Sequence, residues 1–221
     1  VNNRTTYSSP VQVPGTWDGI FSAGSNVAAA TKSDGTMWTW GRNNYGTLGH
    51  NTQGPGNSTA RSSPTQLPGT TWPITDDFKL SNFATTSTAI KTDGTLWVWG
   101  DNEYGELGIP SIAHDAARSS PCQVPGTTWK RIFTGGFGQL AVKTDGTMWS
   151  WGSNVNGVLG TNQTGSVWPD YDDAQKYSSP VQIPGTTWDK IPQSTSYGRY
   201  AIRTDGTLWS WGNNTYGQLG L

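Results

Sequence analysis

Short runs of alternating hydrophobic and polar residues, each ending in a tight turn, return four times along this chain. The clearest runs from Lys91 to Gly108, K-T-D-G-T-L-W-V-W-G-D-N-E-Y-G-E-L-G. Its Asp93-Gly94 head recurs as Asp34-Gly35, Asp145-Gly146 and Asp205-Gly206, at steps of 59, 52 and 60 residues. Self-similarity at this period predicts one small unit repeated and stacked. Within the unit, Ala89–Lys91 and Leu96–Gly100 flank Thr92-Asp93-Gly94-Thr95. Two such runs joined through Asp-Gly predict a β-hairpin, with the glycine supplying the positive φ of the turn.

On a strand, residues two apart share a face. That puts Trp97 and Trp99 together, and likewise Trp38 with Trp40, Trp149 with Trp151, and Trp209 with Trp211. Leu96 and Val98 make the opposite face apolar as well, so the strand is expected to lie between two layers with both faces covered. A second marker, S-S-P-x-Q-x-P-G-T-(T)-W, begins at Ser8, Ser62, Ser119 and Ser178. Val11-Gln12-Val13 and Val181-Gln182-Ile183 alternate, and the flanking prolines suit an edge strand. A fourth short segment, such as Lys130–Thr134, follows Trp17, Trp72, Trp129 and Trp188. Each unit thus predicts a four-stranded antiparallel sheet of the propeller-blade kind.

The whole chain is therefore expected to be one all-β repeat domain over 1–221, with units of about 1–49, 50–108, 109–160 and 161–221. Four units predict a β-propeller-type array, either a small closed ring or part of a larger ring. Placed beside Val1, the terminal Leu221 would make a junction resembling the internal ones, so the chain is cut at a unit boundary. It opens on Val1-Asn2-Asn3 without a methionine, which suggests a piece of a longer polypeptide or a processed form.

Composition narrows the function. Only 13% of residues are charged and the net charge is −1, about half the usual charged share. With no basic stripe, nucleic acid is not the expected partner. No apolar run approaches a membrane span and no signal peptide is visible. The low hydrophobic share, 33%, is offset by 13 tryptophans, each of which buries a large area. Cys122 replaces Val11, Thr65 or Val181 of the other units and reads as a small apolar filler. One cysteine and two histidines do not make a four-ligand zinc site, and no G-x-S-x-G elbow is present. The expectation is no enzyme activity, no metal and no cofactor.

The linkers are where the units differ: 50–61, 109–118 and 161–177. They are polar loops, the usual place for binding residues on a rigid frame. The third holds V-W-P-D-Y-D-D-A-Q-K-Y, with Trp168 outside both repeated markers. Candidate partner-binding residues are Trp168, Asp170, Tyr171, Asp172, Asp173 and Tyr177, with His50 and His114 from the other two linkers. Tyrosine and tryptophan carry binding energy; carboxylates tune selectivity. The three aspartates lack the glycine and distal glutamate of a calcium loop. Trp17, Trp72, Trp129 and Trp188 recur too strictly to be sugar platforms and are read as packing. Lys32, Lys91, Lys143 and Arg203 stand two residues before each turn aspartate, where local neutralisation is expected.

The run W-G-x-N-x-x-G-x-L-G, preceded by D-G-T-x-W, resembles the repeats of the regulator of chromosome condensation family. It stands as Trp40-Gly41-Arg42-Asn43 to Leu48-Gly49 and as Trp211-Gly212-Asn213-Asn214 to Leu219-Gly220. The resemblance implies a propeller, commonly of seven four-stranded blades. The added S-S-P-x-Q-x-P-G-T-T-W looks like the flavour of bacterial and tailed-phage repeat proteins. The family often carries histidine seven residues before the turn aspartate; here those positions are Val27, Thr86, Gly138 and Gly198. The expected function is a non-enzymatic protein-interaction scaffold in a phage virion or extracellular appendage. Its partners are then proteins, virion or appendage subunits among them. The alternatives are a lectin-like propeller taking a surface glycan, and a nucleotide exchange factor or enzyme inhibitor.

Overall fold

The computed structural model describes residues 5–23, 26–54, 59–73, 80–83, 85–135, 138–163, 176–192 and 198–221. They form four antiparallel sheets. The first comprises β1 (Gly19–Ala23), β2 (Val27–Thr31), β3 (Met37–Gly41) and β4 (Arg61–Gln66). The second is β5 (Leu80–Phe83), β6 (Thr86–Ile90), β7 (Leu96–Gly100) and β8 (Arg118–Gln123). The third is β9 (Trp129–Gly135), β10 (Gly138–Lys143), β11 (Met148–Ser153) and β12 (Lys176–Ile183). The last has three strands, β13 (Trp188–Lys190), β14 (Gly198–Arg203) and β15 (Leu208–Gly212). Among the described residues the sheets form an open series and do not close into a ring.

The hairpins fall where the Asp-Gly pairs place them. Ile90 faces Leu96 across the turn, and Gly94 has φ 80°, a conformation costly for any side chain with a Cβ. The S-S-P-x-Q segments are edge strands, as their prolines require: β4, β8 and β12 each lie at the rim of a sheet. The sheet is out of phase with the sequence repeat, however. Each edge strand comes from the repeat after the one that supplies the other three. Thus Gln66 pairs with Trp38, Gln123 with Trp97 and Gln182 with Trp149. The chain reaches its own hairpin only after closing the preceding sheet.

The apolar face opposite the tryptophans is fully covered: Leu96, Val98, Leu107, Val124 and Ile132 are all buried in one cluster. The tryptophan face is filled by a third indole. Trp72 meets Trp97 and Trp99 edge-on, with centroids 6.5 and 6.1 Å away; Trp188 meets Trp209 and Trp211 at 5.9 and 6.3 Å. Such pairs add about 0.5–1.5 kcal/mol each beyond area burial. The recurrent Trp17, Trp72, Trp129 and Trp188 are therefore packing residues. The paired tryptophans are unequal. Trp99 is buried, and its Nε1 donates to the Thr47 carbonyl of the preceding repeat at 2.8 Å. Trp97 is half-buried, and its Nε1 donates to Thr95 Oγ1 at 2.8 Å.

The recurrent cations have a second role besides the one their spacing suggests. Lys91 Nζ lies 4.6 Å from the Trp72 ring centroid and 4.2 Å from that of Trp97. Lys32, Lys143 and Arg203 are clamped between equivalent indoles. The turn aspartates are held by threonine instead: Asp93 Oδ1 accepts from Thr95 N at 2.9 Å and from Thr95 Oγ1 at 2.6 Å. Those hydrogen bonds, with a lesser contribution from Lys91, hold the Asp93 carboxyl below its ordinary pKa. Aspartate, threonine and indole thus form a relay in every repeat, with a cation between two rings.

Trp99→Ala should cost about 3–5 kcal/mol, because it opens a cavity and strands the Thr47 carbonyl. Trp97→Ala, half-exposed already, should cost clearly less. Guanidinium unfolding of the two variants measures the difference; equal losses would contradict the asymmetric packing.

Candidate functional site

Five of the sequence candidates, Trp168, Asp170, Tyr171, Asp172 and Asp173, lie outside the described residues. Tyr177 is not in a loop. It belongs to β12, pairs with Gly152, and packs half-buried against the cluster around Trp151. His50 is engaged too: its Nε2 lies 2.9 Å from Thr39 Oγ1, and desolvation lowers its pKa. His114 is half-buried in the second linker, between the Ala113 carbonyl that Asn102 holds and Asp115. Cys122 is a half-buried filler on β8 whose thiol burial pushes up.

The structure brings the first two linkers together, and it roots them through the asparagine of W-G-x-N. Asn43 Oδ1 accepts from Leu48 N at 2.9 Å, while its Nδ2 donates to the Thr52 carbonyl at 2.8 Å. Asn102 does the same with Leu107 N at 3.1 Å and the Ala113 carbonyl at 2.8 Å, and Asn154 with Leu159 N and the Gln163 carbonyl. Asn43, Asn102 and Asn154 are buried. Both ends of each amide are satisfied, which ties a variable linker to an invariant turn. The sequence showed the asparagine as part of a motif but not its target, because the target is a backbone carbonyl in a stretch with no pattern.

Between these rooted linkers lies a cavity of about 790 Å³, lined by Asn44, Tyr45, Gln53, Gly54, Asp115 and Ala116. Tyr45 holds a left-handed backbone, φ 57°, and its ring is exposed. Asp115, φ 65°, is fixed by its N–H donating to the Asn102 carbonyl at 3.2 Å. The lining offers an aromatic face, two side-chain amides and one carboxylate, none of which was singled out from the sequence. The signal available was the Asn-Tyr pair of the W-G-x-N turn lying next to a linker. Among the described residues no group of three or more His, Cys, Asp or Glu is placed to hold a metal ion. No described helix is long and apolar enough to cross a membrane.

Family models described as "Regulator of chromosome condensation (RCC1) repeat" match residues 34–76, 93–142 and 145–194, and a further one 200–218. The chain is 28% identical over 200 residues to the human E3 ubiquitin-protein ligase HERC2, across 86% of this chain and 4% of that protein. It is 30% identical over 204 residues to the mitochondrial RCC1 domain-containing protein RUG3 of Arabidopsis thaliana, across 87% of this chain and 41% of the relative. Its fold matches that of yeast RCC1 (Prp20) bound to Kap60 with a TM-score of 0.71 at 18% identity, over 92% of this chain and 46% of that one. The chain thus spans less than half the length of each.

The turn after Asn102 contains an ionisable group whose charged neighbours, Asp101 and Glu103, carry the same sign. Glu106 is buried, its Oε2 accepts from Tyr104 N at 2.8 Å, and desolvation raises its pKa to about 8. In the fourth repeat Gln218 Oε1 makes the same bond to Tyr216 N, also at 2.8 Å. Glu106→Gln therefore keeps the contact and removes the titration. A carboxyl raised in the folded state contributes stability that is complete below its unfolded pKa and is lost as pH rises to about 8. The variant should match the parent near pH 4 and melt several degrees higher above pH 8, as read by thermal unfolding across pH. Parallel curves would contradict the buried carboxyl.

Proposed function

The chain belongs to the regulator of chromosome condensation (RCC1) repeat family, and from that premise we propose that it is a non-enzymatic scaffold whose inter-repeat loop surface binds another protein. The observation that carries this reading is the cavity between the first two linkers. Its walls are rooted by buried asparagines, so little ordering remains to be done on binding. Tyr45 projects beside it as an exposed aromatic anchor, and Asn44, Gln53 and Asp115 supply directional polar contacts. Anchors of this kind carry most of the energy of a protein interface. The relative in the yeast structure has Kap60 bound to it, which supports a protein as the class of partner here.

At finer grain, the reading is a structural component of a phage virion or an extracellular appendage. It is supported by the sparse charge, the tryptophan-rich repeats and the S-S-P-x-Q-x-P-G-T-T-W segment. The long linker containing Trp168, Asp170, Tyr171, Asp172 and Asp173, outside the described residues, is proposed on its sequence alone as a further contact segment.

Tyr45→Ala should weaken binding to the co-purified partner about tenfold or more while leaving the melting temperature unchanged, since the ring is exposed. Calorimetric titration of parent and variant reads both constants. Unchanged affinity would exclude this cavity as the contact.

A further inference from the structure

The second and third repeats each carry three indoles, and two of the three have their N–H satisfied. In the second, Trp97 Nε1 donates to Thr95 Oγ1 and Trp99 Nε1 to the Thr47 carbonyl. In the third, Trp149 Nε1 donates to Thr147 Oγ1 and Trp151 Nε1 to the Glu106 carbonyl. The remaining indoles, Trp72 and Trp129, are 1% and 3% exposed. Their Nε1 atoms are buried with no hydrogen-bond partner among the described residues. A buried donor left unpaired is costly, so each of these calls for an acceptor.

The place that would admit an acceptor lies over the glycine of each P-G-T-T turn. A Cβ built on Gly69 would have two neighbours within 4 Å, Lys91 Nζ at 3.8 Å and Trp72 Nε1 at 4.0 Å. One built on Gly126 would have Lys143 Nζ at 3.7 Å and Trp129 Nε1 at 3.8 Å. The two atoms nearest that space are thus both donors, one of them a cation. Both glycines are exposed, and their φ angles of 92° and 97° exclude a side chain, which leaves the space unfilled. Neither lysine is in an ion pair among the described residues. The turn carboxylates Asp93 and Asp145 already accept two hydrogen bonds each, from Thr95 and Thr147. The other two repeats differ. At Gly15 the Trp17 ring itself stands 3.4 Å from the same place. At Gly185, Arg203 Nη2 and Trp188 Nε1 close in to 3.0 and 3.2 Å, and Trp188 Nε1 reaches the Pro184 carbonyl at 3.3 Å.

We propose that the P-G-T-T turns of the second and third repeats each bind a carboxylate, whose oxygen takes the place that a Cβ would fill. From there a shift of about 1 Å brings the oxygen within hydrogen-bond reach of both donors. The ammonium supplies the charge, and its position between two rings is already set. The indole N–H supplies direction and gains the acceptor it lacks. One cation beside one neutral donor matches a singly charged group. The glycine serves the site as well as the turn, since any other residue would put its own carbon where the oxygen sits. The carboxylate is either free or carried on an acidic protein segment; the chemistry is the same. The site involves neither Tyr45 nor the cavity between the linkers, so it stands or falls separately from partner binding there.

The test follows the indole N–H resonances of the isotope-labelled chain by NMR while potassium acetate replaces potassium chloride at constant ionic strength. Trp72→Phe and Trp129→Phe identify the two resonances by their loss. Both are expected to move downfield and saturate, while that of Trp99, already bonded, stays in place. Lys91→Gln should weaken saturation at Trp72 at least about fivefold and leave Trp129 unchanged; Lys143→Gln should do the reverse. Each variant thus carries an intact site as its own control for folding. A capped tetraglutamate peptide separates the two sources: saturation at a lower carboxylate concentration than acetate assigns the group to a protein segment, and equal saturation to a free carboxylate. Resonances of Trp72 and Trp129 that do not respond to acetate would overturn the proposal. So would a Trp72 response that Lys91→Gln leaves unchanged, or a Trp129 response that Lys143→Gln leaves unchanged.

Discussion

The hydrogen bond from the second tryptophan of each hairpin to a carbonyl of the preceding repeat holds the series together. Trp99 Nε1 reaches the Thr47 carbonyl, Trp151 the Glu106 carbonyl and Trp211 the Val158 carbonyl, at 2.8–2.9 Å. An indole N–H is a single donor that must be satisfied when buried. Here its acceptor lies in the turn that follows the preceding sheet's hairpin, so burying the ring and docking the sheets are one event. The turn that offers the carbonyl is shaped by glycine and by the asparagine amide, which in turn roots the linker. Core packing, turn geometry and the placing of the loops thus all depend on that bond.

Much of this was legible because it repeats. The Asp-Gly turns, the paired tryptophans, the edge-strand prolines and the fourth strand after Trp129 all announce themselves by spacing. What was not legible involves partners with no pattern of their own. The phase of the sheets depends on which hairpin accepts the S-S-P-x-Q strand, and both neighbours are equally good in sequence. The cations beside the turn aspartates read only as local neutralisation, because sequence distance shows Lys91 near Asp93 but not that two indoles flank its side chain. Tyr177 reads as a loop residue because the strand it joins, β12, starts earlier than its S-S-P motif. The groove at Tyr45 stayed hidden because it is made by a turn and two linkers that lie far apart in the chain.

The division of labour between repeat and linker is physical. Residues that recur are enclosed by other recurring residues, and a change in one must be matched in its neighbours. The asparagines hold the linkers chiefly through backbone carbonyls, those of Thr52 and Ala113. Any side chain is compatible with a backbone acceptor. The asparagine anchor therefore fixes where a linker begins while leaving most of its side chains free to vary, which is the condition for a surface to specialise on a stable frame.

The offset between sheet and repeat also bears on how such a chain changes length over evolutionary time. Were sheet and repeat in phase, duplicating a gene segment would insert a self-contained sheet with its own closed edges. With the edge strand always borrowed from the next repeat, a duplicated segment inserts one hairpin with its inner strand and one edge strand for the sheet before it. Every old and new sheet is then completed by its successor, wherever the crossover falls within the unit. Unequal recombination can therefore lengthen or shorten the array by whole repeats without leaving a mismatched seam.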